Sequence, residues 1–251
     1  IKMIISKTPY RISFFGGGSD YPSWYLKNGG STLSTTIDKY IYISCRYLPP
    51  FFEHKYRIVW SHIEIVKELN QIKHRAVREM LKYFKIKNGL EIHYDGDLPA
   101  RSGMGSSSVF VVGLMNLFNS YQGKKITNKM LAKKSIYFEQ KILNDYVGSQ
   151  DQIAAAYGGF NKITFKIGGE FNVKRVSFKK KVLKKLNSNL MLFYTGFKRT
   201  AHDIAKSYVN ELSKSKKSHI MEICSFVKES EKLLKECNNL NDFGKLLHES
   251  W

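Results

Sequence analysis

The stretch Asp97-Leu98-Pro99-Ala100-Arg101-Ser102-Gly103-Met104-Gly105-Ser106-Ser107-Ser108 joins two segments whose hydrophobic patterns differ. Before it, Leu90, Ile92 and Tyr94 alternate with other residues, as in a half-buried strand. After it, the apolar run from Val109 through Phe118 reads as a buried helix opened by hydroxyl residues. The turn therefore lies at a helix N-terminus. Gly103 and Gly105 let the backbone turn tightly and approach a ligand, while the first helical N–H groups lack intrahelical partners and carry partial positive charge. Such a cradle attracts anions, phosphate among them. A serine-capped core helix after an ordinary turn is the competing reading of the string by itself. No lysine follows Gly105, which disfavours a Walker A loop, and the third glycine and downstream acid of a dinucleotide fingerprint are missing.

Composition narrows the partners. With 251 residues, 43% of them hydrophobic, the chain can bury the core of one large or two modest domains. The densest apolar run, 109–118, is interrupted by Gly113 and Asn116 and is too short to span a bilayer, so a cytoplasmic protein without membrane insertion is expected. Cys45, Cys224 and Cys237 show no C-x-x-C spacing, and no H-E-x-x-H occurs among the histidines, so neither a disulfide framework nor a zinc site is expected. The net charge of +20 would suit nucleic acid, an anionic membrane surface or phosphorylated small molecules. The densest cluster, Lys179, Lys180, Lys181, Lys184 and Lys185, interleaves with Val182, Leu183 and Leu186 like the wet side of a partly buried segment. No aromatic-studded RNA-binding signature accompanies it, so nucleic acid is not expected as a partner.

Along the chain, strands are predicted over Met3–Ile5, Arg11–Phe15, Tyr40–Tyr47 and Tyr56–Trp60 from β-branched and aromatic residues between turn signals. Ile72, Ala76, Met80, Leu81 and Phe84 keep helical spacing, as do Met130, Leu131, Ser135, Phe138 and Ile142 after a Thr127 cap. Further strands are predicted over Phe160–Phe165, Phe171–Val176 and Leu190–Tyr194, followed by helices over Ala201–Leu212, His219–Leu234 and Leu240–Trp251. The class is mixed α and β.

Phosphoryl transfer needs an anion cradle, a magnesium ion held by a carboxylate and often a hydroxyl, and a group to orient or deprotonate the accepting alcohol. Glu139 falls within a predicted helix. Asp151 begins another in Gly148-Ser149-Gln150-Asp151-Gln152, where the break at Gly148 could swing both carboxylates toward one site. Alone, each also reads as an ordinary helix residue. In Pro9-Tyr10-Arg11-Ile12-Ser13-Phe14-Phe15-Gly16-Gly17-Gly18-Ser19-Asp20 a strand runs into three glycines and an acid, which suits a ligand-facing loop as well as a flexible hairpin turn. Asp20 there could accept hydrogen bonds from sugar hydroxyls.

Three ordered motifs resemble the GHMP kinases: Pro9-x-Arg11 with Gly16-Gly17-Gly18-Ser19-Asp20, the loop from Leu98-Pro99 through Ser108, and the segment Gly148 to Gln152. Within that family, the Gly-Gly-Gly-Ser-Asp form and Thr36-Ile37-Asp38-Lys39-Tyr40 look most like the sugar-1-kinases, above all the D-glycero-D-manno-heptose 7-phosphate kinases. The resemblance covers nearly the whole chain. It implies an α+β GHMP kinase fold, with an N-terminal ribosomal-protein-like α/β domain over residues 1–185 that binds ATP and substrate, and a C-terminal ferredoxin-like α+β domain over 186–251. The family's third, glycine-rich motif has no counterpart before Trp251, so the second domain is expected to be truncated, leaving Leu190–Tyr194 without partners and apolar surface exposed.

Carried over by position, the resemblance places Pro99, Arg101, Ser102, Gly103, Met104, Gly105, Ser106, Ser107 and Ser108 around the ATP phosphates. Ser106 or Ser107 with Glu139 would hold Mg2+, and Asp151 would face the accepting hydroxyl. Gly17, Gly18, Ser19 and Asp20 would bind the sugar, while Arg11, Lys198 and Arg199 would meet a substrate phosphate or the transferring phosphoryl group. Arg101 stands where the general motif has glycine, and Met104 where it has leucine. The implied activity is ATP-dependent phosphorylation of the anomeric hydroxyl of a sugar phosphate, a heptose 7-phosphate becoming the 1,7-bisphosphate for nucleotide-heptose and surface polysaccharide synthesis, by a monomer or homodimer. A catalytically inactive sugar- or nucleotide-binding module, another sugar-1-kinase such as a fucokinase-like enzyme, and a nucleic-acid-binding protein are the alternatives.

Overall fold

The computed structural model describes residues 3–100, 102–194, 196, 212, 215–236 and 240–250. Two compact units are assembled from interleaved segments: Ile1–Tyr10, Ile37–Asp145 and Asp151–Tyr157 make the first, and Arg11–Thr36, Tyr146–Gln150 and Gly158–Trp251 the second. Two long strands, β1 (Ile4–Phe15) and β2 (Gly30–Tyr47), contribute residues to both.

In the first unit, the later part of β2 pairs antiparallel with β5 (Leu90–Gly96), from Ile41 opposite Gly96 to Tyr47 opposite Leu90. The other edge of β5 takes β3 (Tyr56–Val59) in parallel, and β3 takes β4 (Ile63–Val66) antiparallel. This unit holds α2 (Arg75–Tyr83), α3 (Ser106–Tyr121) and α4 (Asn128–Tyr137). Ile41, Ile43, Ile58, Leu90 and Ile92 from the strands are buried with Met80, Leu81, Leu114 and Phe118 from the helices. Gly113 lies in the middle of α3, where glycine normally costs about 1 kcal/mol against alanine. A Cβ there would stand 2.7 Å from Thr8 Oγ1 of β1, so the missing side chain permits a close helix–strand approach. Thr127 caps α4, accepting from the Met130 N–H at 3.3 Å. The helix ends in a π-turn, Phe138–Ile142, rather than continuing in α form to Ile142.

The second unit pairs the first part of β2 antiparallel with β6 (Phe160–Phe165), and β6 with β7 (Phe171–Arg175). It also holds α1 (Pro22–Asn28), α6 (Lys180–Ser188), α7 (Lys217–Glu236) and α8 (Asn241–Glu249); α5 (Gln150–Tyr157) starts here at Gln150 and continues in the first unit. Phe15, Leu33, Phe160, Leu186, Val227 and Phe243 share one apolar core. Phe14 stacks on Phe160 and meets the edge of Phe243, with centroids 5.6 and 5.5 Å away. The lysine-rich segment is α6, which buries Val182 and Leu186. Glu231 of α7 accepts hydrogen bonds from Lys162 at 2.7 Å and Lys235 at 2.6 Å; those bonds outweigh burial and hold its carboxyl down to about 2.

Several expectations are corrected. The two predicted N-terminal strands are one, β1, and three short elements, α1, β4 and α6, were not anticipated. Leu190–Tyr194 forms no strand: it has no ladder partner among the described residues, and Met191 and Phe193 are 79% and 74% exposed. Residues 201–211 of the predicted helix ending at Leu212 lie outside the described residues, as does Cys237. No helix among the described residues is long and apolar enough to cross a membrane.

Candidate active site

The turn after β5 leads directly into α3. Gly105 is the N-cap residue in the left-handed region (φ 76°), and the Val109 N–H closes the first helical bond onto its carbonyl at 2.9 Å. The cap supplies no side-chain hydrogen bond and the first turn contains no acid. The positive end of the helix is thus left for groups outside it. Gly103 also has positive φ, 77°, and a Cβ built on it would meet nothing within 4 Å among the described residues. Met104 of the turn is nine-tenths buried.

Two carboxylates flank this turn. A Cβ on Gly105 would fall 2.9 Å from Asp151 Oδ2, so the absence of a side chain lets Asp151, in the first turn of α5, lie against the backbone of the loop. Glu139 enters from the π-turn with no solvent exposure. Its Oε1 accepts from Ser107 Oγ at 3.3 Å and its Oε2 from Gln152 Nε2, which also donates to Ser108 Oγ at 3.2 Å. Burial pushes the Glu139 carboxyl up to about 7; Gln152 and Ser108 pull it back, while the nearby charges of Asp151 and Asp145 push it further. A buried acid beside a second acid and serine hydroxyls offers the hard oxygen donors that suit Mg2+. Among the described residues no three His, Cys, Asp or Glu side chains converge to hold an ion, so such a site would be completed by hydroxyls or by phosphate oxygens of a ligand.

The triple-glycine loop is organised within the second unit. Gly16 and Gly18 take φ of 90° and 94°, and a Cβ on Gly16 would collide with Ser31 O at 2.0 Å. Ser19 is fully buried; its Oγ donates to the Gly16 carbonyl at 2.8 Å and accepts from Ser31 N–H at 3.1 Å. Asp20 is 2% exposed, with Oδ1 accepting from Gly18 N–H at 3.1 Å and Oδ2 from Gln150 N–H at 3.2 Å. Its carboxylate therefore ties the loop to the start of α5. Gly148 makes this possible, because a Cβ there would overlap Asp20 Oδ2 at 1.9 Å. Ser13 Oγ donates to Gln150 Oε1 at 2.8 Å. Tyr25 Oη lies 3.2 Å from Ser149 Oγ, and burial raises the pKa of its phenol.

Residues 70–159 match the model of the GHMP kinases N terminal domain. Over those residues the chain resembles the N-terminal domain of the GHMP kinases. The whole chain is similar to D-glycero-alpha-D-manno-heptose 7-phosphate kinase of Campylobacter jejuni, 26% identical over 268 residues and spanning 77% of that protein. Galactokinase of Pyrococcus furiosus is 28% identical over 204 residues, covering 78% of this chain and 54% of the relative. Among solved structures, a D-glycero-D-manno-heptose 1-phosphate kinase from Bacteroides thetaiotaomicron superposes with a TM-score of 0.83 at 22% identity, covering 100% of this chain and 78% of that one. The fold is the α+β GHMP kinase fold.

Of the residues that the sequence singles out, the structure brings Gly105, Ser107, Ser108, Glu139 and Asp151 together, with Ser102, Gly103, Met104 and Ser106 in the same turn. Pro99 precedes the turn and is exposed, and Arg11 lies partly buried within β1. Arg101, Lys198 and Arg199 lie outside the described residues. Sequence reasoning missed Gln152, which joins Glu139 to Ser108, and Gln150, which joins Ser13 to Asp20. The signal for Gln152 is its helical i+1 position after Asp151 together with full burial of an amide, which periodicity alone does not give.

Proposed function

We propose that this GHMP kinase transfers the γ-phosphoryl group of ATP to the anomeric hydroxyl of a sugar phosphate, most closely a heptose 7-phosphate, in the cytoplasm. The observation that carries the reading is the placement of two acids, Asp151 and Glu139, against one uncapped glycine turn at a helix N-terminus. Similarity along the whole chain to a heptose 7-phosphate kinase supports the sugar class.

In this reading the backbone from Ser102 to Ser108 cradles the nucleotide phosphates, with Pro99 and Arg101 bordering it, and the N-terminal N–H groups of α3 face their charge. Glu139 with Ser106 or Ser107 would hold Mg2+. A bound Mg2+ supplies neutralisation of charge on the phosphate oxygens. Asp151 orients the sugar hydroxyl and takes its proton as the anomeric oxygen bonds to the γ-phosphorus and the bond from that phosphorus to the bridging oxygen of ADP breaks. Gly17, Gly18, Ser19 and Asp20 shape the sugar site. Arg11, Lys198 and Arg199 are assigned to phosphate groups on substrate or nucleotide.

The test is ADP release, coupled to a spectrophotometric readout, with ATP, Mg2+ and a panel of heptose 7-phosphate, fucose, galactose and mannose 6-phosphate. ADP release confined to the heptose supports the reading, and turnover confined to fucose would point to the fucokinases, of which one in Bacteroides fragilis is 22% identical to this chain. ATP binding without turnover of any sugar would replace the kinase with a nucleotide-binding module.

A further inference from the structure

The π-turn that carries Glu139 ends in a cap held from another helix. The Leu143 N–H closes the turn onto the Phe138 carbonyl at 2.8 Å, Asn144 takes the left-handed region (φ 51°), and the Asp145 N–H returns to the Glu139 carbonyl at 2.9 Å. A left-handed residue followed by an N–H that returns to the last turn follows the logic of a Schellman cap, with asparagine where glycine is usual. The two acceptors on either side of Asn144, the Leu143 carbonyl and the Asp145 carboxylate, both receive hydrogen bonds from the Arg75 guanidinium, the latter at 3.2 Å.

Arg75 is the first residue of α2, whose first turn contains no acid. A cation there opposes the dipole of its own helix, whereas the same charge at the C-terminal end of another helix is favourable. The backbone before it is fixed: the N–H groups of Lys73 and His74 donate to Glu64, a carboxylate 8% exposed, which also accepts from Trp60 Nε1 at 3.0 Å. The Arg75 side chain is 53% exposed, and an ion pair so open to water contributes little to global stability. What this arginine secures is therefore the local geometry of the turn. We infer that Arg75 is a positioning residue, which by pinning Leu143 and Asp145 holds the Glu139 carboxylate in place beside Ser107 and Gln152. The inference rests on the sugar kinase reading above, in which Glu139 holds Mg2+. Arg75 acts through the turn and takes no part in the chemistry.

Amide hydrogen exchange of the ligand-free chain, with calorimetric titration of ATP in the presence and absence of Mg2+, tests it. Arg75→Ala should exchange the Leu143 and Asp145 amides about 10-fold faster than wild type, while the Phe84 amide at the end of α2 stays unchanged. Its affinity for ATP alone should stay within about 2-fold of wild type, whereas the gain in affinity from Mg2+ should fall by about 10-fold. Guanidinium ion at sub-denaturing concentration should restore that gain in Arg75→Ala. Arg75→Lys, a point charge unable to bridge both acceptors, should keep only part of it. Unchanged exchange at Leu143 and Asp145, or faster exchange with the Mg2+ gain intact, would overturn the inference. Wild type whose ATP affinity does not respond to Mg2+ would instead sink the assignment of Glu139 and the kinase reading with it, and the exchange comparison would still decide whether Arg75 holds the turn.

Discussion

Gln152 donates its side-chain amide to the Glu139 carboxylate, and both side chains are completely shielded from solvent. Neutral donors such as Gln152 and Ser107 cannot replace the hydration that an ionised carboxylate loses on burial, so the proton is retained up to about pH 7. In the unfolded chain the same group has its ordinary value of 4.5, so folding takes up a proton between the two values. The contribution is fully present below about pH 4.5 and is lost as pH rises through about 7, an effect on the order of 3 kcal/mol. Thermal melts of Glu139→Gln should lose this pH dependence and match or exceed wild type at pH 8. Mg2+ with ATP should raise the wild-type melting temperature at pH 8 and leave that of the variant nearly unchanged.

Asp151 lies against Gly105, and in the proposed reading it faces the accepting hydroxyl rather than the nucleotide, so its replacement is expected to spare nucleotide binding. Asp151→Asn should lower kcat by about 1000-fold, the range of a lost general base, with ATP affinity within a few-fold of wild type. Single-turnover kinetics beside nucleotide titration would separate the two. Near-normal turnover would remove Asp151 from the chemistry.

The two glycine environments give opposite expectations. Gly148→Ala forces a methyl onto Asp20 Oδ2 and should cost about 2 kcal/mol or more, while weakening sugar binding through the displaced loop. Gly103→Ala meets no atom of the described residues, so its expected cost to folding is that of the positive φ, about 1 kcal/mol. Its Cβ projects where phosphates are proposed to sit, and ATP affinity should fall although the fold is retained. Denaturant melts paired with nucleotide titration distinguish these outcomes.

Acid stability should depend on two further carboxylates. Glu91 is 4% exposed, and although burial alone would raise its pKa, His93, Arg57 and Arg46 hold it down to about 2. Glu231 is held equally low by Lys162 and Lys235. These depressed values contribute stability that is present above about pH 4.5 and is lost as pH falls toward 2. Glu231→Gln should flatten the acid limb of the stability profile by roughly 1 kcal/mol, after allowance for its partly exposed lysine partners. With Glu139 acting in the opposite direction, the ligand-free protein is expected to be most stable near pH 5.

The strand–turn–helix at Gly103 was legible because three local signals agree there: period-2 alternation, paired glycines and an apolar helical run. Asp151 was legible for a similar reason, since a glycine break followed by small and polar residues marks a helix start. Glu139 was legible only as a helical glutamate. What buries it is a π-turn, in which the shift of hydrogen-bond register redirects the side chain without changing residue type. The short elements were hidden differently: β4 is a four-residue edge strand, and α1 begins on Pro22, which reads equally as a turn. Leu190–Tyr194 shows the reverse error. Its strand-like composition yields no strand without a neighbouring ladder.

The irregular connector between the π-turn and α5, residues 143–149, fixes where α5 begins. Surface connectors normally tolerate insertions and deletions. Here the loss of one residue would rotate α5 by about 100° around its axis, since each helical residue advances by that angle. Asp151 would leave Gly105 and Gln152 would leave Glu139 in the same event. The length of this connector is therefore held by the register of the helix it feeds, and variation among functional descendants of this chain should change its residues but not their number.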